Sequence, residues 1–218
     1  MNSIQYTADN PLRVAVLISG SGRTLKNLLN IKASGGFLNI EFPLVVSSKP
    51  DAGGLQYAYE AGIPAHVVDY NEFGPDKFSQ EIFDRVQKAN CNFIVLGGFL
   101  RQLTIPANWE NRVINIHPSL VPLFCGQGFY GKRVHQAALD YGVKISGCSV
   151  HFVNNEFDNG PVILQRAVPV YSTDTADELA ARVLEAEFLA LPTALRLIAA
   201  GAVRVEGRIV HVDKVELS

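Results

Sequence analysis

The chain has 218 residues, and its 19 basic and 21 acidic side chains give a formal net charge of -2 at pH 7. A nearly neutral chain has no general attraction for nucleic acid or anionic membranes, so small-molecule substrates are the expected partners. No segment approaches the ~18 consecutive apolar residues of a membrane span, and the first eleven residues lack a secretion-signal pattern. We therefore predict a soluble cytoplasmic protein, either a monomer or a homodimer.

The cysteines indicate a reducing compartment. Cys91, Cys125 and Cys148 are odd in number, widely spaced and form no CxxC pair. This pattern favours neither a disulfide framework nor a zinc site, and we expect no metal.

Strand-like and helix-like segments alternate along the first half of the chain. The predicted strands cover 13–18, 40–46, 65–68, 93–96 and 113–116, and the predicted helices cover 24–32, 54–61 and 75–89. Alternation of this kind predicts right-handed crossovers. It indicates an α/β fold with an open, mostly parallel, twisted sheet and helices on both faces.

The second half has a different pattern. A glycine-rich loop at 126–131 precedes a helix at 133–141, strands at 146–153 and 162–168, and a long helix at 175–200. That helix is expected to bend at Pro192, because proline lacks the amide donor. The segment VRVEGRIVHV predicts a hairpin. We predict one domain in two continuous halves, 13–112 and 113–201, followed by a hairpin and tail at 202–218.

The stretch LISGSGRTL joins the first strand to the first helix through Gly20 and Gly22. Free N–H groups at a helix start favour an anion such as phosphate. Leu25 replaces the third glycine of the dinucleotide fingerprint, and no acidic residue closes the second strand, so a nicotinamide cofactor is disfavoured. A tight turn with Thr24 as helix cap is the alternative. Arg23 favours phosphate, since a guanidinium adds charge-assisted hydrogen bonds.

The stretch VINIHPSLVP sets two polar side chains in an apolar strand. Asn115 and His117 share one face of that strand. Pro118 ends the strand at its carboxyl end, where open α/β sheets bind ligands. The later stretch HFVNNEFDNGPVILQ offers Asp158, which is also compatible with a simple turn-forming role. The polar pair either satisfies itself in the core or performs chemistry.

Glu187 is a further candidate, because it lies on the apolar stripe of the long predicted helix. A carboxylate at such a position needs a partner. The partner is either an arginine or lysine in a buried ion pair, or a ligand amine.

Together, LISGSGRTL, VLGGFLRQLT, NIHPSLVP, SGCSVHFVNNEFDNGPVILQ and ARVLEAEFLALP resemble the formyltransferase family that uses 10-formyltetrahydrofolate. Their order and spacing are most similar to the branch that formylates glycinamide ribonucleotide, from about residue 13 to 201. The resemblance implies a Rossmann-like fold and formyl transfer to that nucleotide's amine in purine (IMP) biosynthesis. It assigns phosphate binding to 13–112, and catalysis with folate binding to 113–201. It implies 10-formyltetrahydrofolate as cosubstrate and requires no metal.

The resemblance also implies roles for individual residues. It makes Asn115, His117 and Asp158 catalytic. It assigns the acceptor nucleotide to Gly22, Arg23, Thr24 and Glu187, the last as the ligand of the amine. It assigns the folate to Leu100, Arg101, Gln102, Leu103, Asn154, Asn155, Glu156, Phe157 and Asp158.

These roles are chemically consistent. The Asn115 amide and a protonated His117 donate hydrogen bonds to the oxyanion that forms when an amine attacks the formyl carbon. Asp158 is expected to raise the pKa of His117 and to help remove the proton of the amine.

Two segments depart from the family pattern, namely Arg23–Thr24 in the glycine loop and the stretch around 123–134. These departures leave the acceptor open, and amino-sugar nucleotides are the main alternative to glycinamide ribonucleotide. A formyltetrahydrofolate hydrolase is disfavoured because Pro118, and not a second histidine, follows His117. A tRNA-directed enzyme is disfavoured because no basic extension follows. A non-catalytic folate- or phosphate-binding module is the alternative from another class.

Overall fold

The computed structural model describes residues 5–215. Its strands are β1 (Leu12–Ile18), β2 (Ile40–Ser47), β3 (Ala65–Val67), β4 (Phe93–Leu96), β5 (Val113–His117), β6 (Ile145–Phe152), β7 (Val162–Pro169), β8 (Val203–Glu206) and β9 (Ile209–Val212). Its α-helices are α1 (Arg23–Ala33), α2 (Leu55–Glu60), α3 (Tyr70–Lys88), α4 (Lys132–Tyr141) and α5 (Ala176–Ala199), and a 3-10 turn covers Ala107–Trp109.

Seven strands form one sheet in the order β3-β2-β1-β4-β5-β6-β7. Strands β1 to β5 pair in parallel, whereas β6 runs antiparallel to both β5 and β7. The predicted α/β fold with a mostly parallel sheet is confirmed. The strand order reverses direction beside β1, which is where open α/β sheets bind ligands.

Burial on both faces explains why the inner strands are almost wholly apolar. In β1, Val14 and Val16 belong to the hydrophobic cluster on one face, and Ala15 and Leu17 belong to the cluster on the other. Alternate residues of a strand point to opposite faces, so a strand covered by helices on both sides has no solvent-facing position. The predicted strands agree with the observed ones to within a residue or two for this reason.

Helix α3 departs from its predicted bounds, since it begins at Tyr70 where 75 was expected. Asp69 caps it by accepting a hydrogen bond from the amide of Asn71. Gly74 interrupts it with a positive φ of 69°, and Pro75 begins the second part. The predicted helix corresponds to that second part, because proline suits the first turn of a helix.

Helix α5 continues through Pro192, which is buried within it. Proline cannot donate to the carbonyl four residues earlier, which here belongs to Phe188. The side-chain amide of Asn27 donates to that carbonyl at 3.0 Å instead. A side chain of α1 therefore supplies the hydrogen bond that the proline omits, and it ties α1 to α5.

The predicted hairpin is confirmed as the antiparallel pair β8–β9, turning at Gly207. The last three residues of the predicted tail, 216–218, lie outside the described residues. Within residues 5–215, none of the helices combines the length and apolarity that a membrane crossing requires.

Candidate active site

A cleft of about 1150 Å³ opens at the carboxyl ends of β1, β4 and β5. Its volume exceeds the ~300–1,000 Å³ of a single small-molecule site. The glycine loop at 20–24 forms one wall, the segments 96–103 and 153–158 form a second, and 126–133 with α5 completes it.

The three residues predicted as catalytic converge in this cleft. The Asn115 side-chain amide donates to Asp158 Oδ1 at 3.2 Å. His117 Nδ1 lies 3.4 Å from Asp158 Oδ2. Asn115 and His117 come from one face of β5, as the alternation of strand side chains predicts.

Asp158 reaches the cleft by an indirect route. Because β6 is antiparallel to β5, its last residue, Phe152, pairs with Ile114 near the start of β5. The following loop folds back over the sheet edge, and Asp158 adopts a left-handed conformation with φ 48°. The Gly126 amide then donates to Asp158 Oδ2 at 2.9 Å. Asp158 thus joins two loops as well as two side chains.

His151 is a member of this cluster that sequence analysis did not identify. It lies directly across from Asn115 in the β5–β6 pairing and is 1% exposed. Its Nδ1 donates to the carbonyl of Phe152 at 2.8 Å, so its Nε2 is free to accept from the Asn115 amide at 3.2 Å. The pairing register would have identified it, but sequence alone does not give that register.

His117 differs from its predicted protonation. Burial lowers the pKa of His117 below its ordinary value, and the opposing effects of Asp158 and the Phe124 carbonyl do not compensate. The predicted sign of the Asp158 effect is confirmed. Burial was not part of that prediction, and removal of the imidazolium from water is the larger influence.

Asp158 is held as a carboxylate. Burial raises its pKa, but the contact with His151, the positive charge of His117 when that ring is protonated, and the Gly126 amide together lower that pKa below its ordinary value. An ionised carboxylate at this position is suited to receive a proton from a nearby group.

The hydrogen-bond donors of Asn115 and His117 already have acceptors within the protein. His117 Nε2 donates to the carbonyl of Phe124 at 3.0 Å, since a carbonyl oxygen can only accept. Asn115 directs its amide to His151 and Asp158. A ligand oxygen that takes a hydrogen bond from His117 Nε2 must therefore displace the Phe124 carbonyl.

Packing, as well as the predicted anion binding, favours glycine at position 22 of the loop. Gly22 is the N-cap of α1 in a left-handed conformation, φ 69°, and no side chain caps the helix. A Cβ there would collide with the backbone of Gly54. The alternative role of Thr24 as the cap is wrong, because Thr24 lies inside the helix. The first amides of α1 keep the free donors that bind anions.

Arg23, Thr24 and Glu187 all line the cleft beside this helix start. Burial raises the pKa of Glu187 from 4.5 to about 7, and the charge of Arg23 opposes that rise. Among residues 5–215, Glu187 forms no ion pair with Arg23 or with any other basic side chain. The buried-ion-pair alternative for Glu187 is therefore not what this structure contains.

The two segments predicted to bind folate form adjoining parts of the cleft wall. Most of their residues line it, namely Leu100, Arg101, Gln102, Leu103, Asn154, Glu156, Phe157 and Asp158. Asn155 does not. Its side chain instead accepts from the amide of Ile105 at 2.7 Å, and its carbonyl accepts from Gln102 at 3.2 Å. Asn155 thus joins the two segments to each other.

Cys91, Cys125 and Cys148 are free thiols. In the part of the chain that the structure describes, no group of three or more His, Cys, Asp or Glu side chains is arranged to hold a metal ion.

The fold and the cleft define an α/β protein with an amide, histidine and carboxylate site at the carboxyl ends of a mostly parallel sheet. The chain belongs to the formyl transferase family, which matches residues 12–195.

Known proteins that are similar to this chain support the family assignment. A chicken (Gallus gallus) trifunctional purine biosynthetic protein adenosine-3 is 44% identical over 200 residues, covering 90% of this chain. A chloroplastic phosphoribosylglycinamide formyltransferase of Vigna unguiculata is 36% identical and covers 80%. The chain spans only 19% of the chicken protein and 57% of the plant one. The crystal structure of glycinamide ribonucleotide transformylase 1 from Symbiobacterium toebii superposes with a TM-score of 0.86 at 38% identity, covering 93% of this chain and 94% of that one.

Proposed function

We propose that the chain transfers the formyl group of 10-formyltetrahydrofolate to the primary amine of glycinamide ribonucleotide in purine biosynthesis. The observation that carries this proposal is the convergence of Asn115, His117 and Asp158 in a cleft that also contains an uncapped helix start. Similarity to phosphoribosylglycinamide formyltransferases along most of the chain supports it.

In the proposed reaction, the amine nitrogen attacks the formyl carbon, and the formyl oxygen becomes an oxyanion. The Asn115 amide and His117 Nε2 donate hydrogen bonds to that oxygen. Asn115 gives up its contact to His151 or Asp158, and His117 gives up its contact to the Phe124 carbonyl. Removal of one such donor typically costs ~3–4 kcal/mol, or roughly 10²–10³-fold in rate.

The proton balance involves Asp158. The attacking nitrogen loses a proton to the Asp158 carboxylate, directly or through water. The bond from the formyl carbon to N10 then breaks as the carbonyl re-forms. N10 takes up the proton held by Asp158, directly or through water, which releases tetrahydrofolate and restores the carboxylate. The product is the formamide of the nucleotide, and no metal or covalent enzyme intermediate enters the sequence of steps.

Each part of the two substrates is assigned to a different wall of the cleft. The amides of α1, with Gly22, Arg23 and Thr24, would bind the phosphate. Glu187 would bind the glycinamide end of the acceptor, and the segments 100–103 and 154–158 would bind the folate. Asn155 would hold those two segments in place and would not contact the ligand.

The test is a panel of acceptors with 10-formyltetrahydrofolate: glycinamide ribonucleotide, an amino-sugar nucleotide and no acceptor. We expect tetrahydrofolate to form with glycinamide ribonucleotide alone. Turnover without an amine would identify a hydrolase, and turnover with the amino sugar alone would identify a different transferase. Absence of turnover with all three, despite folate binding, would favour a binding module.

A further inference from the structure

His135 is a buried residue to which the proposed mechanism gives no role. It lies on α4, is only 4% exposed, and its ring borders the cleft. Within residues 5–215, its Nδ1 is buried without a hydrogen-bond partner. Buried polar atoms in native proteins are paired in the great majority of cases, so an unpaired one requires an explanation.

The unpaired nitrogen defines the tautomer. Burial, together with the charges of His117 and Arg23, lowers the pKa of His135 to about 4, so the ring is neutral at working pH. A hydrogen on Nδ1 would bury a donor that has no acceptor, at a cost of ~1–3 kcal/mol. The hydrogen therefore belongs on Nε2, and His135 presents a neutral N–H donor at the cleft.

The position of this donor indicates which part of the ligand it can bind. Arg23, His117 and His135 line the same cleft, and the charges of Arg23 and His117 act on the His135 ring. Arg23 lies on the helix start proposed to bind phosphate, and His117 lies at the proposed reaction centre. An acceptor nucleotide with its phosphate at the first and its amine at the second must place its ribose between them. The ribose carries oxygens that accept hydrogen bonds.

We propose that His135 is a binding residue for the acceptor, and that its Nε2–H donates to a ribose oxygen of the nucleotide. This inference rests on the proposed function, because it takes the acceptor to be a ribonucleotide. It adds a direct sugar contact on α4, an element that the sequence motifs do not include.

The test uses three variants of the full chain. His135→Phe keeps the size of the ring and removes the donor, His135→Gln restores an amide N–H near the position of Nε2, and Gln136→Ala is the control on the exposed side of the same turn. A lost hydrogen bond of ~1–1.5 kcal/mol corresponds to roughly 5–10-fold in affinity. We expect His135→Phe to raise KM for glycinamide ribonucleotide by that factor, with little change in KM for the folate. His135→Gln should recover part of the loss, and the control should match wild type.

Two competitive inhibitors separate the sugar from the phosphate. His135→Phe should raise the inhibition constant of ribose 5-phosphate and leave that of inorganic phosphate unchanged. Equal increases for both would mean that His135 contacts the phosphate, which would overturn the ribose assignment.

The remaining outcomes are also decisive. His135→Phe should be at least as thermally stable as wild type, because it removes an unpaired nitrogen. A lower melting temperature with higher KM for both substrates would show a structural role and overturn the proposal, as would an unchanged KM in a well-folded variant. If the wild type itself fails to formylate glycinamide ribonucleotide, the proposed function fails first.

Discussion

The two sides of the cleft differ in how their polar groups are satisfied. On the β5 side, Asn115, His117, His151 and Asp158 bond to one another or to backbone. On the opposite side, Nδ1 of His135 is buried without a partner among the described residues, and the Glu187 carboxylate forms no ion pair with them.

This difference indicates a division of labour. Groups that are already paired keep a fixed geometry, which electrostatic stabilisation of a transition state requires. Side chains that make no such bonds are available to a ligand, which is the role proposed for the Glu187 carboxylate and for Nε2–H of His135. We therefore propose that the β5 side carries the chemistry and that the opposite side binds the acceptor.

The largest expected effect is a loss of turnover when the hydrogen-bonded cluster on the β5 side is changed. Asp158→Asn removes the proton acceptor and should lower kcat by ~10²–10⁴-fold, the usual contribution of a general base. KM for the acceptor should change little, because the binding side is intact. Steady-state kinetics check this, with Asp140→Asn on the exposed face of α4 as control. A kcat within a few-fold of wild type would show that Asp158 only shapes the loop.

The second effect is on stability and concerns Glu187. Burial raises its folded-state pKa above 4.5 to about 7, so the fold prefers the neutral form. That stabilisation is fully present below about pH 4.5 and is lost as pH rises through about 7. Glu187→Gln should therefore raise the free energy of unfolding by ~2–3 kcal/mol at about pH 8 and leave it unchanged at about pH 4.

Denaturant unfolding at the two pH values measures this difference. The exposed neighbour Glu185→Gln serves as control and should show no such pH dependence. An equal effect of Glu187→Gln at both pH values would mean that Glu187 is not strained in the free protein.

A third prediction concerns Arg23. Arg23→Ala would remove the proposed charge-assisted contact to the phosphate, worth ~1.5–2 kcal/mol, so KM for the acceptor should rise roughly 10–30-fold while kcat changes little. Lys26→Ala, one turn later on α1, removes the same charge away from the cleft. Similar KM values for the two variants would mean that Arg23 acts only through its long-range charge and does not contact the phosphate.

The smallest effect concerns the support between α1 and α5. Asn27→Ala leaves the Phe188 carbonyl without a donor and should cost ~1 kcal/mol of unfolding free energy. Pro192→Ala restores the backbone N–H, so the same Asn27 change made in that background should cost less. Additive effects in this double-mutant cycle would show that the two residues do not share the carbonyl.

The sequence predicted most of the fold because its buried strands are apolar on both faces and its helices have one apolar stripe. It also predicted that Asn115 and His117 share a face, since strand alternation requires this. It did not predict His151, because the register that sets it beside Asn115 depends on the antiparallel direction of β6. The net fall in the His117 pKa was missed for a related reason, since the depth of burial is a property of the assembled sheet.

The central claim is that the paired cluster transfers a formyl group to an amine held by the unpaired side. A single-turnover reaction with ¹³C-formyl-labelled cosubstrate, followed by mass spectrometry of the nucleotide, tests it most directly. Wild type should place about one label on glycinamide ribonucleotide per active site, while Asp158→Asn binds both substrates and transfers none on that timescale. Labelled formate without labelled nucleotide, or transfer by Asp158→Asn at the wild-type rate, would contradict the account.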